Sequence, residues 1–452
     1  MELLQQSKAI FYHPLNDSTE YLKTQDWDET TPAYLEGKVS DALWPTAEEF
    51  GAIAFGMSAE FNSGNTLAIS LAALSSTVFV AAYRDLSDSS HGTARVGTVS
   101  GTTVTFGAEA EFLSAGAIGF TSPVAALSAT KFVVAYQDQA DGYHGTAKVG
   151  TVSGTSVTFG AESEFLSTSI DIVSAAALSA TAFVVAYNEG TNDGASAKVG
   201  TVSGTDITFG AEAKFVAPGE SSYASSISVT TLSATAVVVA YRDLSNSSHG
   251  TARVGTVSGT AITFGAEAEF NSAITTDISV AALSATKFVV AYRDAADSNH
   301  GTAKVGTVSG TAITFGAEAE FLSADGAERI VVAALDSAII PPASATKFVV
   351  AYMDLSDSNH GTARVGTVSG TDITFGAEAE YFGTGDATIN SATALGTAKF
   401  VVATNADSIS GVAKVGTPPP AASLVSPTPG EYDSAAAATK VAFCGWFRKP
   451  SA

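Results

Sequence analysis

One cysteine, Cys444, stands in 452 residues, so no intramolecular disulfide framework can form, and a lone thiol does not by itself make a metal site. Basic residues are scarce as well: 22 Lys and Arg face 45 Asp and Glu, a formal charge of -23 that opposes any phosphate backbone and disfavours nucleic acid as a partner. The start, MELLQQSKAIFYHPLND, has no basic segment leading into an apolar run, and no stretch of about 18 apolar residues occurs anywhere. Neither Sec export nor membrane insertion is therefore expected; if Met1 is the true start, the route outward is release of particles or a dedicated secretion system. With 46% hydrophobic and only 15% charged residues, the chain can bury a large core, which excludes wholesale disorder.

What is abundant is repetition. FGAEAEF or a close variant begins at Phe55, Phe106, Phe159, Phe209, Phe264, Phe315 and Phe375. Seven copies of a unit of roughly 50 residues point to a solenoid or a propeller. TVTFGAEAEF alternates Val104, Phe106, Ala108, Ala110 and Phe112 against Thr105, Gly107, Glu109 and Glu111, the pattern of a half-exposed strand. KFVVAYQD at 131–138 is apolar on both faces, and SVAAL is small and apolar, so both read as buried strands.

A three-residue turn, Ser100-Gly101-Thr102, joins GTARVGTV to the Glu-bearing strand, with Val99 expected opposite Thr103 and Val96 opposite Phe106. A four-stranded antiparallel blade results, SVAAL innermost and the Glu-bearing strand outermost. The fold class expected is all-β, a seven-bladed β-propeller over residues 52–417. AIAFGMSAEF, 52–61, has no blade before it and the last blade stops after GVAKVGT, 411–417, so this N-terminal outer strand is expected to close the ring. An open solenoid is the alternative, weakened by the lack of anything resembling a terminal cap. Residues 1–51 and 418–452 are assigned to a small β flanking domain made from both termini.

The repeated acids do not read as glycosidase carboxylates: Glu109 and Glu111 lie two apart on one strand and point in parallel rather than across a cleft. Arg95, Lys148, Lys198, Arg253, Lys304, Arg364 and Lys414 are placed on that same outward face, offsetting the acids weakly. His91, His144, His249, His300 and His360 share one position in the loop DLSDSSHG, but each belongs to a different blade. They lie too far apart to share an ion, and Asp85, Asp88 and Gly92 lack calcium-loop spacing, so no metal site is expected. Two readings of the loop stay open, Asx and Ser turns or contact with a ligand. GTNDGAS and ADSISG in blades three and seven drop the pattern. No nucleophile elbow, phosphate loop or metal-binding helix occurs, so neither an enzyme nor a cofactor is expected. Trp27, Trp44 and Trp446 fall outside the repeats, unlike the tryptophan-bearing blades of WD40 proteins.

The wording ALSATKFVVAYRD followed by HGTAKVGTVSGTAITFGAEAEF resembles a repeat of uncharacterised proteins of marine bacteria and their tailed phages, fibre-like virion proteins included, over about 365 of the 452 residues. The flanks AIFYHPLNDSTEYLKTQDWDETTPAYLEGKVSDAL and TKVAFCGWFRKPSA resemble the opening strands of a concanavalin-like (laminin-G) jelly roll, although a whole jelly roll needs more chain than they supply. These resemblances imply a non-enzymatic virion structural protein, a tailed-phage fibre, spike or decoration protein adhering to host or environmental glycans; a bacterial cell-surface adhesin or lectin is the alternative. Expected partners are other virion or surface proteins in a multi-copy assembly, together with a glycan. The glycan is expected at Asp88, His91, Asp141, His144, Asp297, His300, Asp357 and His360, on the face that collects the irregular loops VAPGESSYAS and LSADGAER. The other face, bearing the apolar IIPP with Ile339, Ile340 and Pro341 and both flanks with Trp27 and Trp446, is expected to dock onto protein.

Overall fold

A computed structural model describes residues 20–25, 34–39, 52–119, 121–190, 194–217, 224–323, 326–335, 345–383, 388–406 and 410–419. The chain divides into two compact units, Met1–Gly51 with Pro419–Ala452, and Ala52–Pro418. In the first, strands Glu20–Gln25 and Tyr34–Val39 pair antiparallel. The candidate docking residues Trp27, Ile339, Ile340, Pro341 and Trp446, and also Trp44 and Cys444, lie outside the described residues. No helix among the described residues is long and apolar enough to cross a membrane.

The second unit is all-β and repetitive. Its first repeat runs Thr66–Ala73, Val78–Asp85, His91–Ser100, then an outer strand in two pieces, Thr103–Phe106 and Ala110–Leu113, hydrogen-bonded in sequence order. The same order recurs along the chain, except that Ser163–Ser179 serves as outer strand of the second repeat and inner strand of the third, joining them in a nine-stranded sheet. In the seventh repeat, Ser410–Thr417 pairs with Ala54–Phe55 (Ala54 opposite Thr417) and with Ala59–Asn62 (Ala59 opposite Ala413). The most N-terminal strand of this unit thus lies beside its most C-terminal one.

The hairpin register differs from expectation by one residue. Ser100 pairs Thr103, Val99 pairs Val104 and Thr98 pairs Thr105, around a two-residue turn in which Gly101 has φ +62°. Side-chain matching explains the choice: Val99 and Val104 are both buried, while the Thr98 and Thr105 hydroxyls meet at 2.7 Å on the exposed face. Further out the pairing slips again, setting Ala110 opposite Ala94 and Glu111 opposite Thr93.

The core lies between successive sheets, which is why the central strands are apolar on both faces. Phe79, Ala81 and Tyr83 join a cluster with Phe61, Val401 and Val415 of repeat seven, while their alternate neighbours Val80 and Ala82 join one with Phe132, Val134 and Tyr136 of repeat two. An aromatic contact recurs at each step. Phe112 from the outer strand of repeat one packs on Tyr136 and Phe159 of repeat two, at centroid distances of 5.1 and 5.8 Å; Phe61 packs likewise on Tyr83 and Phe106, at 5.1 and 5.5 Å. A glycine makes room for each of these rings except Phe215 of repeat three, where Ala195 takes the position; a Cβ at Gly92 would stand 2.3 Å from Phe112.

Inner strands are tied by hydroxyls rather than by a ladder. Ser70 Oγ accepts from Val124 N (3.0 Å), Ser174 from Val229 N (3.1 Å), Ser228 from Val280 N (3.1 Å), Ser279 from Val332 N (3.0 Å), and Ser391 of the last repeat from Leu71 N of the first (2.9 Å). Small side chains let these strands crowd together: residues of all seven, among them Ala72, Ala126, Ala176, Ala282 and Ala334, line one cavity of about 710 Å³.

Candidate functional site

The strand registers bring Thr66, Asp85, His91 and Leu113 to one end of the first sheet, so the DLSDSSHG loop and the exit of the outer strand share an edge. Asp85 is buried and its Oδ1 accepts from Ser87 N at 2.9 Å, the Asx turn that the composition of the loop suggests. Asp88 to His91 then forms a tight turn. Ser89 and Ser90 both have positive φ, 53° and 64°, as a type I′ turn requires, and His91 N donates to Asp88 O at 2.9 Å.

This turn sets the Asp88 and His91 side chains together, and the outer strand brings a third. His91 Nδ1 stands 3.6 Å from Asp88 Oδ2 and 3.7 Å from Glu111 Oε2. The corresponding distances are 3.4 and 3.2 Å for His144 to Asp141 and Glu164, 3.4 and 3.5 Å for His300 to Asp297 and Glu320, and 3.4 and 3.4 Å for His360 to Asp357 and Glu380. The eight residues singled out in the sequence are thus brought together in pairs, each pair in its own repeat. Sequence reasoning missed the glutamates because it sought partners for each histidine among the other histidines. The usable signal was the hairpin, which carries the second Glu of FGAEAEF back to the loop that opens its own third strand.

The first Glu of that motif has a different task. Tyr83 OH donates to Glu109 Oε1 (3.3 Å), and Arg95, which lies 3.5 Å from the same carboxylate, donates to Phe61 O (2.6 Å) and Gly107 O (2.8 Å). The basic residue thus pairs with the first acid, as its place on the same face suggests, but it does more than offset charge. It is mostly buried and clamps the main chain of the neighbouring repeat through a charge-assisted hydrogen bond to the carbonyl. Lys148, Lys198, Arg253, Lys304 and Arg364 reach Phe112 O, Phe165 O, Phe215 O, Phe270 O and Phe321 O in the same way. Burial, and next the neighbouring carboxylate, hold the phenols of Tyr83, Tyr136, Tyr187, Tyr241, Tyr292 and Tyr352 well above their ordinary range.

Repeat three separates the two groups. It keeps the clamp, with Tyr187, Glu212, Lys198 and Phe165, yet Gly194 occupies the histidine position and Lys214 that of the second glutamate. Lys214 turns instead to Glu189 and Glu212, at 3.2 and 3.5 Å. Four repeats thus carry a cluster of aspartate, histidine and glutamate that a fifth folds without.

The chain is an all-β repeat protein whose antiparallel sheets fit a propeller-like repeat. It matches no protein-family model and none of the curated proteins in sequence. Among solved structures it is similar to Sqt1 from Chaetomium thermophilum (12% identity, 80% of this chain and 99% of that one, TM-score 0.48). It is also similar to a prolyl endopeptidase (11% identity, 76% and 46%, TM-score 0.46) and to a mutant of the Aleuria aurantia lectin AAL in complex with Fucalpha1-6GlcNAc (14% identity, 72% and 98%, TM-score 0.42). At such identities and scores none of the three lends an argument for function.

Proposed function

We propose that residues 52–417 close into a seven-bladed β-propeller that adheres to carbohydrate without catalysis, presented in many copies by a fibre, spike or decoration protein of a virion. Two contacts join the N-terminal part of this unit to its last repeat and support closure, the pairing of Ala59–Asn62 with Ser410–Thr417 and the Ser391 hydroxyl on Leu71 N; Phe61 of the paired N-terminal strand then packs on Tyr83 as the equivalent rings pack on theirs.

The observation that carries the binding reading is the freedom of the loop cluster from the fold. Repeat three loses His and Glu together while keeping every clamp residue, so the clusters of repeats one, two, five and six serve something other than folding. Their exposed carboxylates, with Asp88 and Glu111 side chains 57% and 38% accessible, offer hydrogen-bond acceptors to hydroxyl-rich ligands. Several copies along one edge convert weak single contacts into useful avidity. Glu109 is held by Tyr83 and Arg95 while Glu111 faces His91 across 3.7 Å, so the two carboxylates have separate surroundings, which supports a non-catalytic reading.

Adsorption to a producing culture's host surface and to purified surface polysaccharide tests this. Replacing Asp88, His91, Asp297, His300, Asp357 and His360 by Ala is expected to abolish adsorption while leaving melting nearly unchanged. Unaltered adsorption refutes the assignment of the loops, and hydrolysis of the bound glycan refutes the non-enzymatic reading. Immunogold label on virions supports the virion setting; label confined to cell envelopes replaces it with a surface adhesin.

A further inference from the structure

We infer that each of the four Asp–His–Glu clusters is a divalent transition-metal site, with Zn²⁺ the ion its donors suit. In each, one donor atom from every residue lies within 4.8 Å of the others. The spacing around the histidine is the informative feature. Its Nδ1 stands 3.2 to 3.7 Å from both carboxylates, mostly beyond the usual hydrogen-bond distance, and in none of the four repeats does it make a hydrogen bond to either. Three donors each about 2.1 Å from one ion stand about 3.4 Å apart in tetrahedral coordination and about 3.0 Å in octahedral. The gap has the size of a coordination edge.

Second, the Nδ1 atoms of His91, His144, His300 and His360 are buried from solvent and have no hydrogen-bond partner, although the rings keep 16 to 23% of their surface exposed. A buried acceptor or donor left unmade in four separate repeats calls for a partner. Third, the protein contains its own control. In repeat four the aspartate is replaced by Asn246, and there His249 Nδ1 closes to 2.7 Å on Glu269 Oε2, which Asn246 Nδ2 also meets at 3.1 Å. With an amide in place of the carboxylate, the open gap disappears and the nitrogen is satisfied directly. Repeat three, lacking His and Glu together, fits a set whose members are useful only jointly.

One imidazole and two carboxylates suit a borderline divalent ion, and three protein ligands leave a coordination position open to solvent. The inference concerns the same loop edge as the proposed adhesion but does not depend on a glycan. It is tested on the full chain, stripped with chelator and titrated with Zn²⁺ alone by calorimetry and by metal analysis after desalting. Wild type is expected to take up about four more Zn²⁺ per chain than the variant with His91→Ala, His144→Ala, His300→Ala and His360→Ala. Asn246→Asp is expected to add about one, and Glu111→Gln to remove about one, so the case does not hang on the fourfold variant folding. Equal uptake by wild type and the fourfold variant, or no gain from Asn246→Asp in a folded protein, overturns the inference. Either result leaves the adhesion reading to its own glycan assay.

Discussion

If the repeats form a closed ring, Phe61→Ala and Phe112→Ala should cost the same. Phe61 is contributed by the most N-terminal strand of the repeat unit and Phe112 by an internal one, yet their surroundings are equivalent: 0% and 1% exposed, 5.1 Å from Tyr83 and Tyr136, with Gly411 and Gly92 leaving room beneath the rings. Deleting a buried phenyl ring and leaving its cavity costs about 3–5 kcal/mol. The aromatic pairs lost on either side account for roughly 0.5–1.5 kcal/mol each within that range. In an open array the terminal strand frays at little cost, and removing its ring changes the global transition hardly at all. Urea unfolding of the full chain, followed by tyrosine fluorescence and circular dichroism, measures both variants. A loss below about 1 kcal/mol for Phe61→Ala beside a loss of about 3–5 kcal/mol for Phe112→Ala refutes closure.

Two further outcomes follow from the packing. Gly150→Ala places a Cβ 2.2 Å from Phe132 Cζ, so it should destabilise by roughly 1–3 kcal/mol in the same urea assay, whereas an unchanged midpoint would mean that the ring can move aside. Alkaline pH should unfold the protein steeply: the six clamp tyrosines are held protonated in the fold, while unfolded tyrosine ionises near pH 10, so their stabilisation is complete below that pH and is lost as pH rises above it. Each contributes up to about 1.4 kcal/mol per pH unit. Absorbance at 295 nm should show their ionisation only together with loss of structure; ionisation in a still-folded protein would contradict the burial.

Local periodicity was enough to read the strands, their order within a repeat and the repeat itself, because alternation in a strand reflects which neighbours its two faces meet and that information is local. The pairing of residues 52–61 with 411–417 was also legible, since an outer strand without a sheet and a sheet without an outer strand are visible by counting. What the pattern could not decide was how side chains meet between sheets. Arg95 looks like a surface charge in the sequence, and only the stacking of one sheet on the next brings it to Phe61 O, a carbonyl 34 positions away. The hairpin register turned on the match of Val99 with Val104 and Thr98 with Thr105, a choice among apolar alternations that differ by one residue. The loop chemistry depended on the tertiary structure most of all. Asp88 and His91 are neighbours in sequence, but the left-handed turn between them and the slip of the outer strand toward Glu111 arise from backbone geometry, and those two features bring one histidine to two carboxylates from separate strands.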